Sequence, residues 1–280
     1  MVPEIRPRKR KIRARFTAAT ADRHELYQMA VQSPEQDLAF LRRVYRRNHA
    51  KPPRHLREDF CGTALLCATW VKRAGCTAEG FDLDPEPLAW GKARNLAPLG
   101  AKAERVTLHR KDVRACSDRA PDIRVAQNFS YWVLRKREEL LEYFRSVRAD
   151  LARGGMFALD VYGGPDATDE LEDAHRVAGG FTYVWDQAEY FPGSGDYTCH
   201  IHFRFRDGSE IRRAFTYQWR FWNLPELREL LKEAGFRRVE AWFEQTEDER
   251  NGSGNGSFRR DDTGKSCLDC AAWIAYLIAS

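Results

Sequence analysis

From Arg54 to Asp160 short strand-like runs alternate with longer helical segments. The runs Arg54–Phe60, Cys76–Phe81, Arg105–His109, Ile123–Asn128 and Met156–Asp160 read as strands. Between them Thr63–Arg73, Pro85–Asn95 and Arg135–Leu151 read as helices, the last stopped by Gly154-Gly155. Strands separated by helices of this length imply βαβ units and a parallel sheet. Upstream, Asp22–Ala30 and Pro34–Asn48 are expected helices, the second with Ser33 at the N-cap and Pro34 at the first helical position. Lys51-Pro52-Pro53 then breaks the chain.

Beyond residue 165 the period changes. Phe181–Tyr190 and Tyr197–Phe221 are aromatic-rich, and in Ile201, Phe203, Phe205 and Phe215, Tyr217, Trp219, Phe221 the odd positions are apolar. Asp207-Gly208 marks a hairpin between them. A two-residue loop sets apolar residues opposite polar ones. A three-residue loop, Asp207-Gly208-Ser209, or an equivalent bulge pairs Phe205 with Ile211 and brings the aromatic faces together. The helical period returns at Leu224–Ala234, closed by Gly235, before a strand at Phe236–Phe243. The glycine- and serine-rich Asn251–Ser257 reads as a flexible loop and Cys270–Ile278 as a last strand, antiparallel to its predecessor because no helix intervenes. The chain thus divides into a tail (1–15), a helical segment (16–53), a core (54–165 and 223–280) and an antiparallel insertion (166–222).

Composition adds limits. With 280 residues, 43% of them hydrophobic, the chain buries one large core or a core with a small appendage. No apolar run approaches the roughly 18 residues of a membrane span, and the start lacks a secretory signal's apolar stretch, so a cytoplasmic location is the default expectation. The 7 cysteines are odd in number and scattered, unlike a disulfide framework. The net charge of +5 sits in the tail, where Arg6, Arg8, Lys9, Arg10, Lys11, Arg13 and Arg15 face only Glu4. That tail is either a weak contact for nucleic acid or a solvated terminus, and the near-neutral body offers no nucleic-acid groove.

The chemistry concentrates in Glu58-Asp59-Phe60-Cys61-Gly62-Thr63-Ala64 and Asp82. A strand enters a small-residue turn, a helix follows, and a second strand ends on an acid 20 residues beyond Gly62. Such a turn lets backbone amides approach a ligand at a helix N-terminus, and an acid about 20 residues on meets ribose hydroxyls. The Gly-x-Gly-x-x-Gly cradle for a dinucleotide pyrophosphate is absent.

Over residues 54–160 and 224–279 the sequence resembles class I S-adenosylmethionine-dependent methyltransferases, whose pattern is acid-x-Gly-x-Gly-x-Gly followed by an acid ending the second strand. Glu58 matches the first acid, Gly62 the central glycine and Asp82 the ribose-binding acid. Phe60 and Ala64 depart from the first and third glycines. The resemblance implies an α/β, Rossmann-like sheet of seven strands, mostly parallel with an antiparallel last strand, and an antiparallel β insertion between strands five and six. It implies S-adenosyl-L-methionine as cofactor, S-adenosyl-L-homocysteine as product, and a small-molecule acceptor. RNA or protein methylation through the tail, and a non-catalytic cofactor-binding module, are the competing readings. Cofactor contacts are expected from Glu58, Phe60, Cys61, Gly62, Thr63, Asp82, Leu83, Asp112, Val113 and Asn128, and from Tyr27 in a helix that closes over the site.

Several of these positions have a second reading. Asp112 meets adenine or caps a helix, and Asn128 contacts the cofactor's methionine part or, like Ser130, caps the Arg135 helix. Tyr162 lies at the site rim or in an ordinary loop. Methyl transfer from a sulfonium needs alignment and exclusion of water, and for some acceptors a base, for which Tyr131, Tyr217 and His200 are the candidates. His200 and His202 also fit a solvated strand face. Cys267-Leu268-Asp269-Cys270 offers two ligands with no second pair at zinc-like spacing, so a reduced pair is expected and no metal site. The aromatic insertion is a lid over the acceptor, a dimer surface or a small core of its own.

Overall fold

The computed structural model describes residues 16–246 and 254–280. Its centre is β1 (His55–Asp59), buried along its whole length between β2 (Thr77–Asp82) and β4 (Ile123–Ala126), to both of which it pairs in parallel. β3 (Val106–Arg110) extends the sheet beyond β2, and β5 (Met156–Gly163) extends it beyond β4, both in parallel. β12 (Trp273–Ala279) runs antiparallel between β5 and β10 (Val239–Thr246), and β11 (Gly254–Arg260) adds an antiparallel edge. The order is β11-β10-β12-β5-β4-β1-β2-β3, eight strands of mixed direction. The expected count of seven is corrected by β11. Part of the segment read as a flexible loop pairs with β10, and the Gly256 N–H donates to Glu244 at 2.8 Å.

Helices cover both faces. α2 (Pro34–Arg46) and α3 (Leu65–Trp70) pack Leu38, Leu41, Val44, Leu66 and Trp70 on Leu56, Val125 and Ala158. On the opposite face α5 (Arg137–Asp150) and α6 (Leu224–Glu233) bury Leu140, Phe144, Leu227 and Leu231 on Phe157, Leu159 and Val161. Chain direction diverges on either side of β1, so the carboxyl ends of β1 and β4 bound the crevice where ligands bind in such sheets.

Charge lies beneath that crevice. Arg57 and Arg124 are fully buried on neighbouring strands. The Arg57 and Arg124 Nε atoms donate to the two oxygens of Asp59 at 2.7 and 2.6 Å, and Tyr143 adds a third donor at 2.7 Å. Asp150 takes an Nη1 from each arginine at 3.2 and 3.0 Å. Arg57 also lies 3.6 Å from the Phe81 ring centre. Ions so deep persist only with such complete pairing.

The second sheet, β6 (Leu171–Val177), β7 (Phe181–Phe191), β8 (Asp196–Phe205) and β9 (Glu210–Arg220), is wholly antiparallel and lies in the chain between β5 and α6. Odd residues of β7, β8 and β9 share one face: Tyr183 opposite Phe203, Trp185 opposite Ile201, Cys199 opposite Tyr217. The hairpin pairs Phe203, not Phe205, with Ile211, and the Phe205 N–H donates to Ser209 O at 2.9 Å. The three-residue loop is therefore Arg206-Asp207-Gly208. A bulge around Arg213, whose φ is +48°, restores the expected register from Ile201–Phe215 onward. Both registers keep the aromatic faces together, because they differ by two residues. β6 carries little apolar alternation and was not anticipated in the sequence.

A second buried polar group ties β1 to β3. Glu79 accepts from His55 at 3.0 Å, His109 at 2.9 Å and the backbone N–H groups of Asp118 and Arg119 at 2.9 and 3.1 Å. Burial alone raises its pKa, but the donors from His55, Asp118 and Arg119 outweigh it and hold the carboxyl at about 2. A depressed folded-state pKa stabilises above the ordinary value of 4.5, and that stability is lost as pH falls towards about 2. Glu79→Gln removes this pH-dependent part. In urea unfolding the stability gap between wild type and variant is expected to narrow steadily across that window, and a pH-independent gap contradicts the assignment.

Candidate active site

β1 opens into a loop in which φ is +53° at Phe60, +50° at Gly62 and +52° at Ala64. Every second residue is left-handed, so the loop coils as a three-glycine loop does although only Gly62 is glycine. The strain at the other two positions is held by surrounding contacts. The Phe60 ring meets Tyr143 edge-on at 5.9 Å, and Ala64 is buried. The Cys61 N–H donates to Phe81 O at 3.0 Å and the Gly62 N–H to Asp82 Oδ2 at 2.8 Å. Thr63 is gripped from two sides: Gln28 donates to its Oγ1 at 2.7 Å and Asn95 to its carbonyl at 2.8 Å. Gly91 lies against that carbonyl so closely that a Cβ there would sit 2.1 Å from the oxygen. Cys61 is a buried packing group, its thiol pKa pushed well up by desolvation.

Three carboxylates gather near this loop. Glu58 is buried, accepts the Cys67 N–H at 3.0 Å, and burial pushes its pKa up to about 7. Asp37 of α2, reached by the Tyr276 hydroxyl at 2.9 Å, is pushed by burial to about 6. Asp160 at the end of β5 is pushed by burial to about 7 although it accepts the Asn128 and Phe129 N–H groups at 2.6 and 3.0 Å. These two donors lie on consecutive left-handed residues, φ +57° and +54°, so Asp160 holds the end of β4 in shape. Asp37 raises both Glu58 and Asp160 electrostatically, which places the three within one field. Among the described residues none of the three has an ion-pair partner.

Asp82 accepts from Gly62 through one oxygen and from the Asp84 N–H at 2.9 Å through the other. Leu83 beside it is 62% exposed, an apolar side chain facing open space. Asp112 is taken up locally. Arg114 donates to both its oxygens at 2.9 and 2.7 Å and holds its pKa down, and the Arg114 N–H donates to it at 2.8 Å; among the described residues no helix begins at Asp112, so it closes a turn and does not cap a helix. Val113 is buried, and its carbonyl accepts from Arg57 at 2.6 Å.

The aromatic face of the second sheet closes the space above. α1 (Arg23–Val31) lies against it, with Tyr27 5.3 Å from Phe215 and hydrogen-bonded to Tyr217. Tyr217 is 6.2 Å from Trp185, whose Nε1 donates to Gln187 at 3.2 Å, and Tyr162 donates to the same Gln187 oxygen at 3.0 Å. Tyr162 is 5.9 Å from Phe129, which sits on Asp160. Asp160 in turn acts electrostatically on Tyr27. These contacts link the half-buried Tyr27, Tyr217, Trp185 and Tyr162 through the buried Gln187, with the buried Asp160 near Phe129.

Two base candidates are corrected. Tyr131 is fully buried, its hydroxyl donating to Asp160 O at 2.8 Å and its pKa driven far up by burial, so it neither faces the ring nor gives up its proton. His200 lies on the face of β8 opposite Cys199 and Ile201, pointing away, and bonds to Thr216 at 2.9 Å. Neither it nor His202 is solvated: both are buried, and His202 bonds to Asp186 at 3.0 Å and accepts the Arg213 N–H at 2.7 Å. Asn128 and Ser130 do not cap α5, whose N-cap is Lys136. Asp37, Gly91, Asn95 and Gln187 were not singled out in the sequence. For Asp37 there was a signal, an acid in helical register with Leu41 and Val44 on the buried side of α2.

No protein-family model matches the chain, and no curated protein matches it in sequence. Solved structures do match in shape. The chain superposes on DesVI of Streptomyces venezuelae with a TM-score of 0.66 at 17% identity, covering 92% of this chain and 98% of that one. For the CcbJ methyltransferase of Streptomyces caelestis the values are 0.65, 16%, 90% and 98%. For an amino pentose methyltransferase of Micromonospora echinaspora, solved with bound S-adenosylmethionine, they are 0.61, 17%, 90% and 95%. The fold is that of the S-adenosylmethionine-dependent methyltransferases.

The loop geometry separates two glycine requirements. Nothing lies within 4 Å of a Cβ at Gly62, so Gly62→Ala is expected to cost only the left-handed penalty, about 1 kcal/mol. Gly91→Ala must displace the Thr63 backbone, at about 3 kcal/mol. Urea unfolding of both variants checks the order, and Gly91→Ala costing less contradicts the packing described.

Proposed function

We propose that this protein transfers a methyl group from S-adenosylmethionine to a small-molecule acceptor. The observation that carries the reading is that two buried carboxylates, Glu58 and Asp160, and the half-buried Asp37 lie within one another's field with no ion-pair partner among the described residues. Desolvated anions held together in this way favour a cationic ligand and oppose a pyrophosphate. S-adenosylmethionine brings two positive groups, an ammonium and a sulfonium, and its sulfonium makes the methyl group transferable. The residues fit it. Asp82 retains acceptor capacity for ribose hydroxyls, and exposed Leu83 offers an apolar surface to a purine. The loop of Phe60, Cys61, Gly62 and Thr63 supplies a backbone wall, and Asp112, Val113 and Asn128 border the adenine and methionine ends.

The antiparallel sheet serves as a lid, with α1 as a strap that carries Tyr27 over the cofactor. The aromatic face excludes water and aligns the acceptor. Tyr217, its pKa far above 10, holds its proton and acts by contact, not as a base. A small-molecule acceptor is supported by the shape shared with an amino pentose methyltransferase.

Calorimetry tests this. S-adenosylmethionine is expected to bind, and Asp82→Ala to weaken it at least tenfold; no binding, or binding indifferent to Asp82, rejects the proposal. Because the carboxylates must ionise to meet a cation, affinity should rise as pH climbs from about 5 through the values near 6 and 7, and level off above them. Affinity that falls over this range contradicts the role given to the three acids.

A further inference from the structure

A cavity of about 390 Å3 lies at the end of the main sheet opposite the glycine-turn loop. Met156 at the start of β5, Phe236 ahead of β10 and Ile278 of β12, all buried, contribute an apolar floor. Asp160 lies four residues beyond Met156, so about 13 Å of strand separates this cavity from the carboxylates described above. Four exposed arginines converge on it from three segments. Arg148 comes from the last turn of α5, Arg153 from the turn before β5, and Arg237 and Arg238 from the link between α6 and β10. Among the described residues none of these guanidinium groups has an ion-pair or hydrogen-bond partner.

The backbone that carries them is fixed. The N–H groups of Arg237 and Arg238 both donate to Ser280 O, at 3.0 and 2.9 Å, and the Ser280 N–H donates to Arg238 O at 2.9 Å, continuing the pairing of β10 with β12. The turn at Arg153 is closed by the Gly155 N–H on Ala152 O at 2.7 Å and pinned by the Ala152 N–H on Pro121 O at 3.0 Å. Gly154 in that turn has φ +80°, and a Cβ on it would stand 3.0 Å from His49 Nε2. His49 lies flat on Tyr45, ring centres 3.9 Å apart and planes 12° apart, and its Nδ1 lies 2.8 Å from Tyr45 O. A carbonyl only accepts, so the proton is on Nδ1 and Nε2 is left beside Gly154.

Little negative charge answers the arginines. Glu240 is the one acidic side chain on the wall, and Arg260 takes it at 2.9 Å. Setting Glu240 and a carboxylate at Ser280 against the four arginines still leaves the lining positive. In the sheet, Arg57 and Arg124 converge on a shared Asp59; here the counter-charge has to come from a ligand. The guanidinium fork matches phosphate oxygens, and a dianion answers several forks at once. The apolar floor and the stacked Tyr45–His49 pair give room and surface for more than a bare ion, in the range of roughly 300–1,000 Å3 usual for small-molecule sites.

We infer that this cavity is a second ligand site, distinct from the cofactor crevice, for a small phosphate monoester with a compact apolar body. Titration calorimetry of the full chain with phenyl phosphate, inorganic phosphate and phenol tests it. Phenyl phosphate is expected to bind at one site, at least tenfold more tightly than inorganic phosphate, with phenol giving no heat. In the double variant Arg153→Gln/Arg238→Gln the affinity for phenyl phosphate should fall at least tenfold. Both side chains are exposed and unpaired, so the variant loses no contact of the fold, and an unchanged urea midpoint verifies this. Saturating S-adenosylmethionine should leave phenyl phosphate affinity as it was. Absence of phenyl phosphate binding overturns the inference, and equal affinity for inorganic phosphate overturns its apolar part. Undiminished affinity in the double variant puts the ligand elsewhere, the basic tail included, and overturns the site. Competition by S-adenosylmethionine puts the ligand in the crevice and overturns it too. None of these outcomes bears on methyl transfer.

Discussion

The paired ions under the two central strands are the constraint on which the rest of the structure depends. Arg57 and Arg124 stand side by side on β1 and β4, and each is satisfied only if Asp59 and Asp150 are in place. Removing one member leaves a charge stranded in the interior, at a cost of about 3–5 kcal/mol. The arginines therefore fix β1 against β4, α5 through Asp150 and Tyr143, and the segment after β3 through Val113, Ala115 and Ser117. Those elements are the ones whose ends form the crevice. Asp59, one residue beyond Glu58, is thus held from below while the loop it feeds is held from above by Asp82 and Gly91.

The site shows the opposite treatment of charge. Beneath the sheet Arg57 and Arg124 are paired with Asp59 and Asp150, whereas at its carboxyl end Asp37, Glu58 and Asp160 are raised together and, among the described residues, have only neutral donors. Their mutual repulsion is a stored cost that a cationic ligand relieves. The same field acts on Tyr27 and Tyr276, and the Tyr276 hydroxyl donates to Asp37 and partly offsets it.

Much of the parallel core was legible in the sequence because short strand-like runs alternate with longer helical segments, an order that survives even where β1 carries Arg57, Glu58 and Asp59. The loop was legible in part. Gly62 and Asp82 could be placed from their spacing, but Phe60 and Ala64 adopt left-handed backbone that their residue types do not announce. β6 and β11 were missed because charged and glycine-rich strands draw their stability from a partner rather than from their own pattern. His200 and His202 show the limit of alternation, since a polar face can be buried by its neighbours. Gln187 and Asp37 act through partners far away in the chain, which no local spacing reveals.

α1 has one further consequence. Gln28 fastens it to the loop at Thr63, Tyr27 fastens it to the aromatic sheet at Tyr217, and His24 with Arg23 fastens it to Glu86 at the start of α4 (Pro85–Gly91). One short helix is thus common property of the glycine-turn loop and the aromatic sheet. It cannot lift from the loop without also leaving the aromatic sheet, so the two attachments are made and broken together.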